Sequence, residues 1–190
     1  MKRMIALLLA LCSLLSLAAC GNVMLTEAPE ATEAPEEAQT LLQKRGLRGR
    51  YAPPENLHLT LAFIGEYPDP DRALEVMDTV DFAPFPLALE GFGRFGDLWW
   101  AGLAPSEPLN ALVRRLRRAL AENDIPFDRK RFSPHITLVR KGVFDGKPPA
   151  VEVPRVEMTV DRFSLMRSDR GKRGMLYTEL GGKDARQTIG

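Results

Sequence analysis

One four-residue pattern occurs twice in this chain and contains its only two histidines. Residues 58–61 read His-Leu-Thr-Leu, and residues 135–138 read His-Ile-Thr-Leu. At ordinary usage of threonine and leucine, both histidines acquire these neighbours by chance with odds on the order of one in tens of thousands. The fold of this chain is therefore constrained to use the two motifs as a pair.

Each motif predicts a strand with one polar face and one apolar face. Alternate side chains of a strand share a face, so His58 points with Thr60, and His135 points with Thr137. The imidazole and the hydroxyl of one motif then lie about 7 Å apart. If the two strands lie side by side, two imidazoles and two hydroxyls meet in one cleft. Hydroxyls can donate to phosphoryl oxygens there, while the imidazoles transfer protons on opposite sides.

Two other interpretations of the histidines are weaker. A single histidine on a half-buried strand is usually a structural residue, but the duplication argues against that role here. A metal site would need further ligands, and no Asp, Glu or Cys stands next to either motif. The two cysteines both lie in the first twenty residues. We therefore expect neither a metal nor another cofactor.

The N-terminus has the pattern of a secretory signal. Lys2 and Arg3 precede the apolar residues 4–20, a run shorter than the roughly 20 residues that span a bilayer. Residues 17–21, Leu-Ala-Ala-Cys-Gly, resemble the lipobox of bacterial lipoproteins. That resemblance implies cleavage before Cys20, lipid attachment to Cys20 and a membrane-anchored, extracytoplasmic lipoprotein. The alternative is a buried apolar segment of a cytoplasmic protein.

Residues 20–40 are interpreted as an acidic linker. The near-repeats 26–31 and 32–37 contain Pro29, Pro35 and five glutamates without a basic residue. Such a segment cannot build a core, and its prolines would interrupt a helix. The predicted organisation is a signal-like segment at 1–19, this linker, and a domain at 41–190.

The domain is predicted to be α+β with antiparallel sheets. From residue 41 onward, 24 basic and 20 acidic residues leave a net charge of +4, which suits a phosphate-bearing ligand rather than nonspecific nucleic-acid binding. Hairpins outnumber strand–helix alternations, which favours antiparallel pairing. The predicted helices are 69–80 and a second one capped by Ser106; the predicted strands are 57–65, 86–95, 98–103, 133–141, 156–166 and 175–180. The arginines at 114, 115, 117 and 118 are interpreted as a solvated helix face, and residues 167–174 as a basic loop.

The two H-x-T motifs, together with residues 53–58 (Pro-Pro-Glu-Asn-Leu-His) and 132–138 (Phe-Ser-Pro-His-Ile-Thr-Leu), resemble the 2H phosphoesterase superfamily. Within it, the chain is similar over about residues 40–182 to bacterial and archaeal RNA 2′,3′-cyclic phosphodiesterases, historically called 2′-5′ RNA ligases. This resemblance implies a bilobed α+β fold in which two antiparallel sheets face a central cleft.

The resemblance also implies an activity and roles for five residues. The expected reaction is metal-independent hydrolysis of an RNA or nucleotide 2′,3′-cyclic phosphate to a 2′-phosphomonoester. His58 resembles the proton donor and His135 the proton acceptor, while Thr60 and Thr137 would hold the phosphate. Arg140 resembles a family arginine that contacts phosphate; the alternative is a simple charge at the end of a strand.

Several alternatives stay open at this point. The same site could work mainly as a 2′-5′ RNA ligase, or bind phosphate esters at a surface without turnover. The family's first strand is either missing here or formed by residues 2–7. Nucleobase stacking could involve one of four aromatic residues that are equally suited to the core: Phe63, Trp99, Trp100 and Phe132. The expected partners are RNA ends or nucleotides with a cyclic phosphate and, through the anchor, a membrane, and we expect a monomer.

Overall fold

The computed structural model describes residues 20–25, 33–146, 155–172 and 174–186; the predicted signal-like segment at 1–19 lies outside these residues. The strands are β1 (Cys20–Leu25), β2 (Arg48–Tyr51), β3 (Leu59–Glu66), β4 (Phe85–Phe95), β5 (Leu98–Leu103), β6 (His135–Val143), β7 (Val156–Val160), β8 (Arg162–Gly171) and β9 (Gly174–Asp184). The helices are α1 (Glu33–Lys44), α2 (Pro70–Asp78) and α3 (Glu107–Glu122), with a 3₁₀ turn at Pro54–Asn56.

The strands form two antiparallel halves that meet at one seam. One half has the order β7-β4-β5-β6, with β2 also on β6, and the other has the order β3-β1-β8-β9. The halves are joined where Leu59 of β3 pairs with Ile136 of β6. This confirms the predicted α+β class with antiparallel sheets, and it sets the two histidine motifs against each other at the seam.

Strand β1 shows that the linker prediction for residues 20–40 was wrong at its start. Cys20 is the register partner of Glu66 on β3 and of Ser168 on β8, so β1 is an interior strand bonded on both edges. Pairing on both edges satisfies the backbone groups that a solvated linker would leave to water. This strand also occupies the place of the first strand that was expected to be missing or to come from residues 2–7.

Helix α1 corrects the end of the same prediction. Pro35 lies in its first turn, where a missing N–H leaves no helical bond unmade. Glu36 and Glu37 near the N-terminus and Lys44 in the last turn match the helix dipole, so the acidic composition fits a helix start rather than a spacer. Residues 26–32, between β1 and α1, lie outside the described residues.

Helix α1 is also fixed to the body of the domain. Leu42 is fully buried in the core, and the Gln39 amide is nearly so. Its Nε2 donates to the carbonyls of Ala52 and Leu138, at 2.8 and 2.9 Å. Leu138 belongs to β6, so a residue assigned to the linker supports the strand that carries the second motif. The domain includes β1 and all of α1.

Most of the remaining predicted elements are confirmed. The β4–β5 hairpin turns at Gly96, whose φ of +60° lies in the region that glycine adopts readily. Ser106 caps α3 by accepting a hydrogen bond from the Leu109 N–H. No helix in the described part of the chain is long and apolar enough to cross a membrane.

The C-terminal strands depart from prediction in two respects. The single strand expected at 156–166 is two strands separated at Asp161, and they belong to opposite halves: β7 pairs with β4, and β8 with β1. The basic segment 167–174 is the tip of the long β8–β9 hairpin rather than a loop. Both errors arise because the β-propensity of a segment does not determine which strand the segment will pair with.

The core determines which way the motifs face. Leu59 and Leu61 of β3 and Ile136 and Leu138 of β6 are almost completely buried in it. Helix α3 covers β3 and β4 with its apolar stripe, the leucines and valine at 109, 112, 113, 116 and 120. With these apolar side chains directed inward, the histidines and threonines between them face the opposite side.

Candidate active site

The two motifs are related by a local twofold arrangement about the seam. Leu59 and Ile136, the middle residues of the motifs, are antiparallel partners. Extending this register by one residue sets His58 across from Thr137 and Thr60 across from His135. The structure therefore brings the four predicted residues together, with each imidazole beside the hydroxyl of the other motif.

The two imidazoles are oriented by the same backbone device. Nδ1 of His58 lies 2.7 Å from the carbonyl oxygen of Asn56, and Nδ1 of His135 lies 2.7 Å from that of Ser133. A carbonyl oxygen only accepts, so Nδ1 carries a proton and donates it. In the neutral ring, Nε2 is then the free acceptor, which suits both histidines to proton transfer through Nε2.

His58 has the more strongly perturbed environment of the two. Burial lowers its pKa below the usual 6.5, and the positive charges of Arg140 and His135 lower it further. The hydrogen bond to the Asn56 carbonyl acts in the opposite direction. Because the charges of Arg140 and His135 both act on His58, these three side chains belong to one electrostatic site.

A bulge in β6 turns Arg140 toward this site. Trp99 of β5 pairs with Val139, but the next residue, Trp100, pairs with Thr137, so β6 carries one extra residue here. Strict alternation from His135 would direct Arg140 to the core side, and the extra residue reverses this. Arg140 is exposed and acts electrostatically on both His58 and Tyr177, which supports its assignment as a site residue over a simple strand-end charge.

Sequence reasoning missed Arg50. It lies on β2 directly opposite Arg140, and partners of this kind point to the same face. Like charges in direct opposition repel, and the ion pairs found among the described residues include a carboxylate for Arg48 but none for Arg50 or Arg140. An anion between the two guanidiniums would relieve the repulsion. No motif marks Arg50, because its position depends on the pairing of β2 with β6.

Tyr177 of β9 was also missed. Its ring meets the His58 ring edge-on, with centroids 4.8 Å apart, and burial raises the pKa of its hydroxyl. The hairpin that carries it is attached near the first motif, since Nδ2 of Asn56 donates to the Met175 carbonyl at 2.9 Å. Only the tertiary pairing of β9 brings Tyr177 to His58.

The aromatic candidates for base stacking separate into different environments. Trp99 is 3% exposed and belongs to the core, whereas Phe63 is 46% exposed. Phe132 lies under the guanidinium of Arg117, with 5.7 Å from Cζ to the ring centroid. Trp100 lies beside His135, with ring centroids 6.3 Å apart.

Arg117 is the exception in the basic face of α3. It is half-buried between Phe127 and Phe132 and donates to the Lys130 carbonyl at 2.9 Å. Arg114 and Arg118, in contrast, are exposed and pair with glutamates of their own helix, as a solvated face would. Arg117 therefore secures the loop that leads to Ser133 and His135.

The structure also describes the two motif threonines and the backbone of Cys20. Thr60 and Thr137 are half-buried on their strands. Of Cys20, only the backbone is described, as the first residue of β1. Within the described residues, no group of three His, Cys, Asp or Glu side chains is arranged to hold a metal ion.

Comparison with known proteins identifies related sequences. The family model described as the 2′-5′ RNA ligase superfamily matches residues 28–172, a range that includes both motifs. A Thermus thermophilus protein named RNA 2′,3′-cyclic phosphodiesterase is 38% identical over 171 residues, covering 80% of this chain and 82% of that protein. A Thermotoga maritima protein of the same name is 31% identical over 153 residues, covering 73% and 81%.

Solved structures agree with these sequences. Escherichia coli LigT complexed with 3′-AMP superposes with a TM-score of 0.73 at 25% identity, covering 89% of this chain and 99% of that one. TT0787 of Thermus thermophilus gives a TM-score of 0.71 at 32% identity, covering 88% and 98%. The similarity thus extends over both halves of the sheet.

Proposed function

Since the chain belongs to the 2′-5′ RNA ligase superfamily and its activity is that of an RNA 2′,3′-cyclic phosphodiesterase, we propose that its two histidine motifs open the cyclic phosphate directly, without a metal ion. The observation that carries this proposal is the antiparallel pairing of Leu59 with Ile136; extended by one residue, this register sets each imidazole across from the other motif's hydroxyl. Two proton-transfer groups and two donors around one centre match the needs of an in-line displacement at phosphorus.

In the proposed reaction, a water oxygen attacks phosphorus while the bond from phosphorus to the ribose O3′ breaks. His135 accepts the proton of the water through Nε2, and His58 donates a proton to O3′. The product is a 2′-phosphomonoester with a free 3′-hydroxyl. Thr60 and Thr137 donate to the phosphoryl oxygens, and the guanidiniums of Arg140 and Arg50 offset their negative charge.

The lowered pKa of His58 has a consequence for this role. A proton donor must be protonated, yet burial and the nearby positive charges favour the neutral ring in the free protein. A bound phosphate anion supplies the opposite charge and raises the pKa of His58 again. Substrate binding would thus help to protonate the group that donates to the leaving oxygen.

The test uses the full chain with 2′,3′-cyclic AMP and with a short RNA ending in a 2′,3′-cyclic phosphate, both in EDTA. We expect the 2′-phosphate product at an unchanged rate in EDTA, and its loss in His58→Ala and His135→Ala. Arg115→Ala, an exposed position on α3, is the matched control. A rate lost in EDTA and restored only by Zn²⁺ would contradict the metal-independent mechanism, and a 3′-phosphate product would contradict the assignment of O3′ as leaving group.

A second function uses the same groups. If the 5′-hydroxyl of another RNA replaces water, the product is a 2′-5′ phosphodiester, and the superfamily that the chain matches is described by such ligation. A joined product in place of the 2′-phosphate identifies this activity. Stabilisation by a phosphate ester without any product would identify a binding module instead.

We also propose that the chain is a lipoprotein anchored through Cys20, with a cytoplasmic protein as the alternative. The support is the lipobox-like sequence at residues 17–21. Mass spectrometry of the expressed protein tests this: a lipid-modified Cys20 supports the anchor, and an intact Met1 end contradicts it.

A further inference from the structure

An exposed aromatic surface lies beside His135, and within the described residues no exposed aromatic side chain is found in contact with His58. Phe95, at the tip of the β4–β5 hairpin, is 49% exposed. Its ring meets the His135 ring edge-on, with centroids 5.4 Å apart, and packs on Trp100 with centroids 5.2 Å apart. We refer to Phe95 and Trp100 as the aromatic platform.

The platform is built into the same face of the sheet as the second motif. Trp100 lies opposite Thr137 on β6 and opposite Gly93 on β4, and directly opposed partners share a face. A Cβ at Gly93 would collide with the Trp100 ring, so the indole lies across the position where that side chain would be. Glycine at 93 thus lets a large flat ring lie on the sheet beside the phosphate-binding threonine, where Phe95 packs against it.

The position of the platform indicates which part of a substrate it meets. In the proposed reaction, His135 stands on the side of the attacking oxygen and His58 on the side of the leaving O3′. A planar group bound beside His135 therefore belongs to the nucleophile rather than to the leaving ribose. Exposed aromatic rings next to a phosphate site are suited to stacking nucleobases, since every base has a flat face.

We propose that the platform binds the nucleobase of an incoming nucleoside with a free 5′-hydroxyl, which then replaces water as the nucleophile. This inference rests on the proposed function and specifies its acceptor. The 5′-oxygen forms the new bond to phosphorus, the bond to O3′ breaks, the 5′-hydroxyl proton passes to His135, and His58 protonates O3′. The product is a 2′-5′ phosphodiester, and no energy-supplying co-reactant is required, because one ester bond replaces another.

The experiment compares two acceptors that compete with water for one cyclic phosphate. An RNA ending in a 2′,3′-cyclic phosphate is incubated with adenosine or with methanol, a hydroxyl compound without a base. We measure the joined product and the 2′-phosphate for each acceptor. In the wild-type chain, adenosine should be the better acceptor at equal concentration. Phe95→Ala should lower the adenosine-to-methanol ratio about 5- to 100-fold, the range expected when one base–aromatic stack is lost.

An effect of Phe95→Ala on His135 itself would lower hydrolysis and methanol transfer together, so the adenosine-to-methanol ratio reports base binding alone. Arg115→Ala, an exposed position on α3, is the control and should leave the acceptor ratio unchanged. An unchanged ratio in Phe95→Ala would overturn the inference. The inference would also be overturned if Phe95→Ala lowered hydrolysis of 2′,3′-cyclic AMP as much as it lowers transfer to adenosine. The platform would then bind the base of the phosphate-bearing nucleotide.

A binding measurement separates this inference from the proposed function. If the wild-type chain turns over neither substrate, the proposed function fails, and adenosine is titrated while tryptophan fluorescence is recorded. Quenching that is lost in Phe95→Ala and Trp100→Phe would still support a base-binding platform. Absence of quenching would reject the platform as well.

Discussion

The motifs at His58 and His135 share one backbone geometry and differ in what surrounds them. Each imidazole donates from Nδ1 to the carbonyl two residues earlier, over the same 2.7 Å. His58, however, is the more deeply buried, lies against Tyr177 and has its pKa lowered by burial and by the charges of Arg140 and His135. His135 lies beside the exposed ring of Phe95.

This difference teaches how a symmetric frame supports an asymmetric reaction. The antiparallel register gives both imidazoles the same orientation, which by itself would make them interchangeable. Neighbours from other strands, Tyr177 on β9 and Phe95 on β4, then make the two sides unequal. In the proposed mechanism, the duplicated motif supplies the two imidazoles, while the unduplicated neighbours make their surroundings different.

The largest expected effect comes from removing either imidazole. His58→Ala and His135→Ala should each lower kcat about 10²- to 10⁴-fold, the usual contribution of a general acid or base. The double variant should be little slower than the slower single variant, because both groups act in one step. Rates for the four proteins give this comparison, and thermal unfolding checks that each variant is folded.

A changed leaving group distinguishes the two roles. A p-nitrophenyl phosphodiester of a nucleoside releases p-nitrophenolate, which needs no proton. His58→Ala should retain most of the wild-type activity on this substrate, whereas His135→Ala should not. The opposite pattern would exchange the donor and acceptor assignments.

The threonines should produce the next largest effect. Thr60→Val and Thr137→Val keep the side-chain shape and remove the hydroxyl that donates to a charged phosphoryl oxygen. Each should lower kcat/KM about 10- to 100-fold, the cost of losing one hydrogen bond to a charged group. Thr159→Val, an exposed position on β7, is the control. Losses no larger than the control's would show that the hydroxyls do not hold the phosphate.

The charges near His58 should have a smaller effect than its neighbouring hydroxyls, and this effect should appear in the pH dependence of the rate. We expect a bell-shaped rate profile, with the bell for kcat displaced to higher pH than the bell for kcat/KM, because the bound phosphate opposes the charges that lower the pKa of His58. Arg140→Gln should move the kcat/KM bell to higher pH, since it removes one of those charges. Arg94→Gln is the control, and a profile that rises monotonically with pH would contradict a two-histidine mechanism.

The smallest expected effect is on stability. Because the pKa of His58 is lowered in the folded chain, the unfolded chain binds this proton more readily. Its contribution to stability is complete above the unfolded pKa of about 6.5 and is lost as the pH falls through the lowered folded value. In His58→Asn, the free energy of unfolding should therefore decrease less as the pH falls below about 6.5. Urea unfolding at several pH values measures it, and an identical pH dependence in the variant would show that His58 is not the group responsible.

The sequence was most informative where periodicity and spacing were local. The cap at Ser106, the turn at Gly96 and the alternation around both histidines follow from neighbouring residues, and the structure confirms them. Local composition was misleading between residues 20 and 40. Proline and glutamate suit a solvated spacer as well as the first turn of a helix, and only packing of Leu42 and Gln39 distinguishes the two.

The parts of the site that sequence reasoning missed depend on contacts between distant strands. Phe95 of β4 and Tyr177 of β9 meet the histidine rings, and Arg50 of β2 lies opposite Arg140, only through tertiary pairing or hairpin packing. The bulge in β6 is a further example, because one extra residue reverses the side to which Arg140 points. A periodic pattern gives no sign of such a reversal.

Among the described residues, Leu59 and Ile136 form the one ladder pair between β3 and β6, and this narrow junction has a mechanical consequence. Points near a pivot move least when two bodies rotate about it. A rotation of one half of the sheet against the other about this seam would displace the distant hairpin tips far more than the imidazoles beside it.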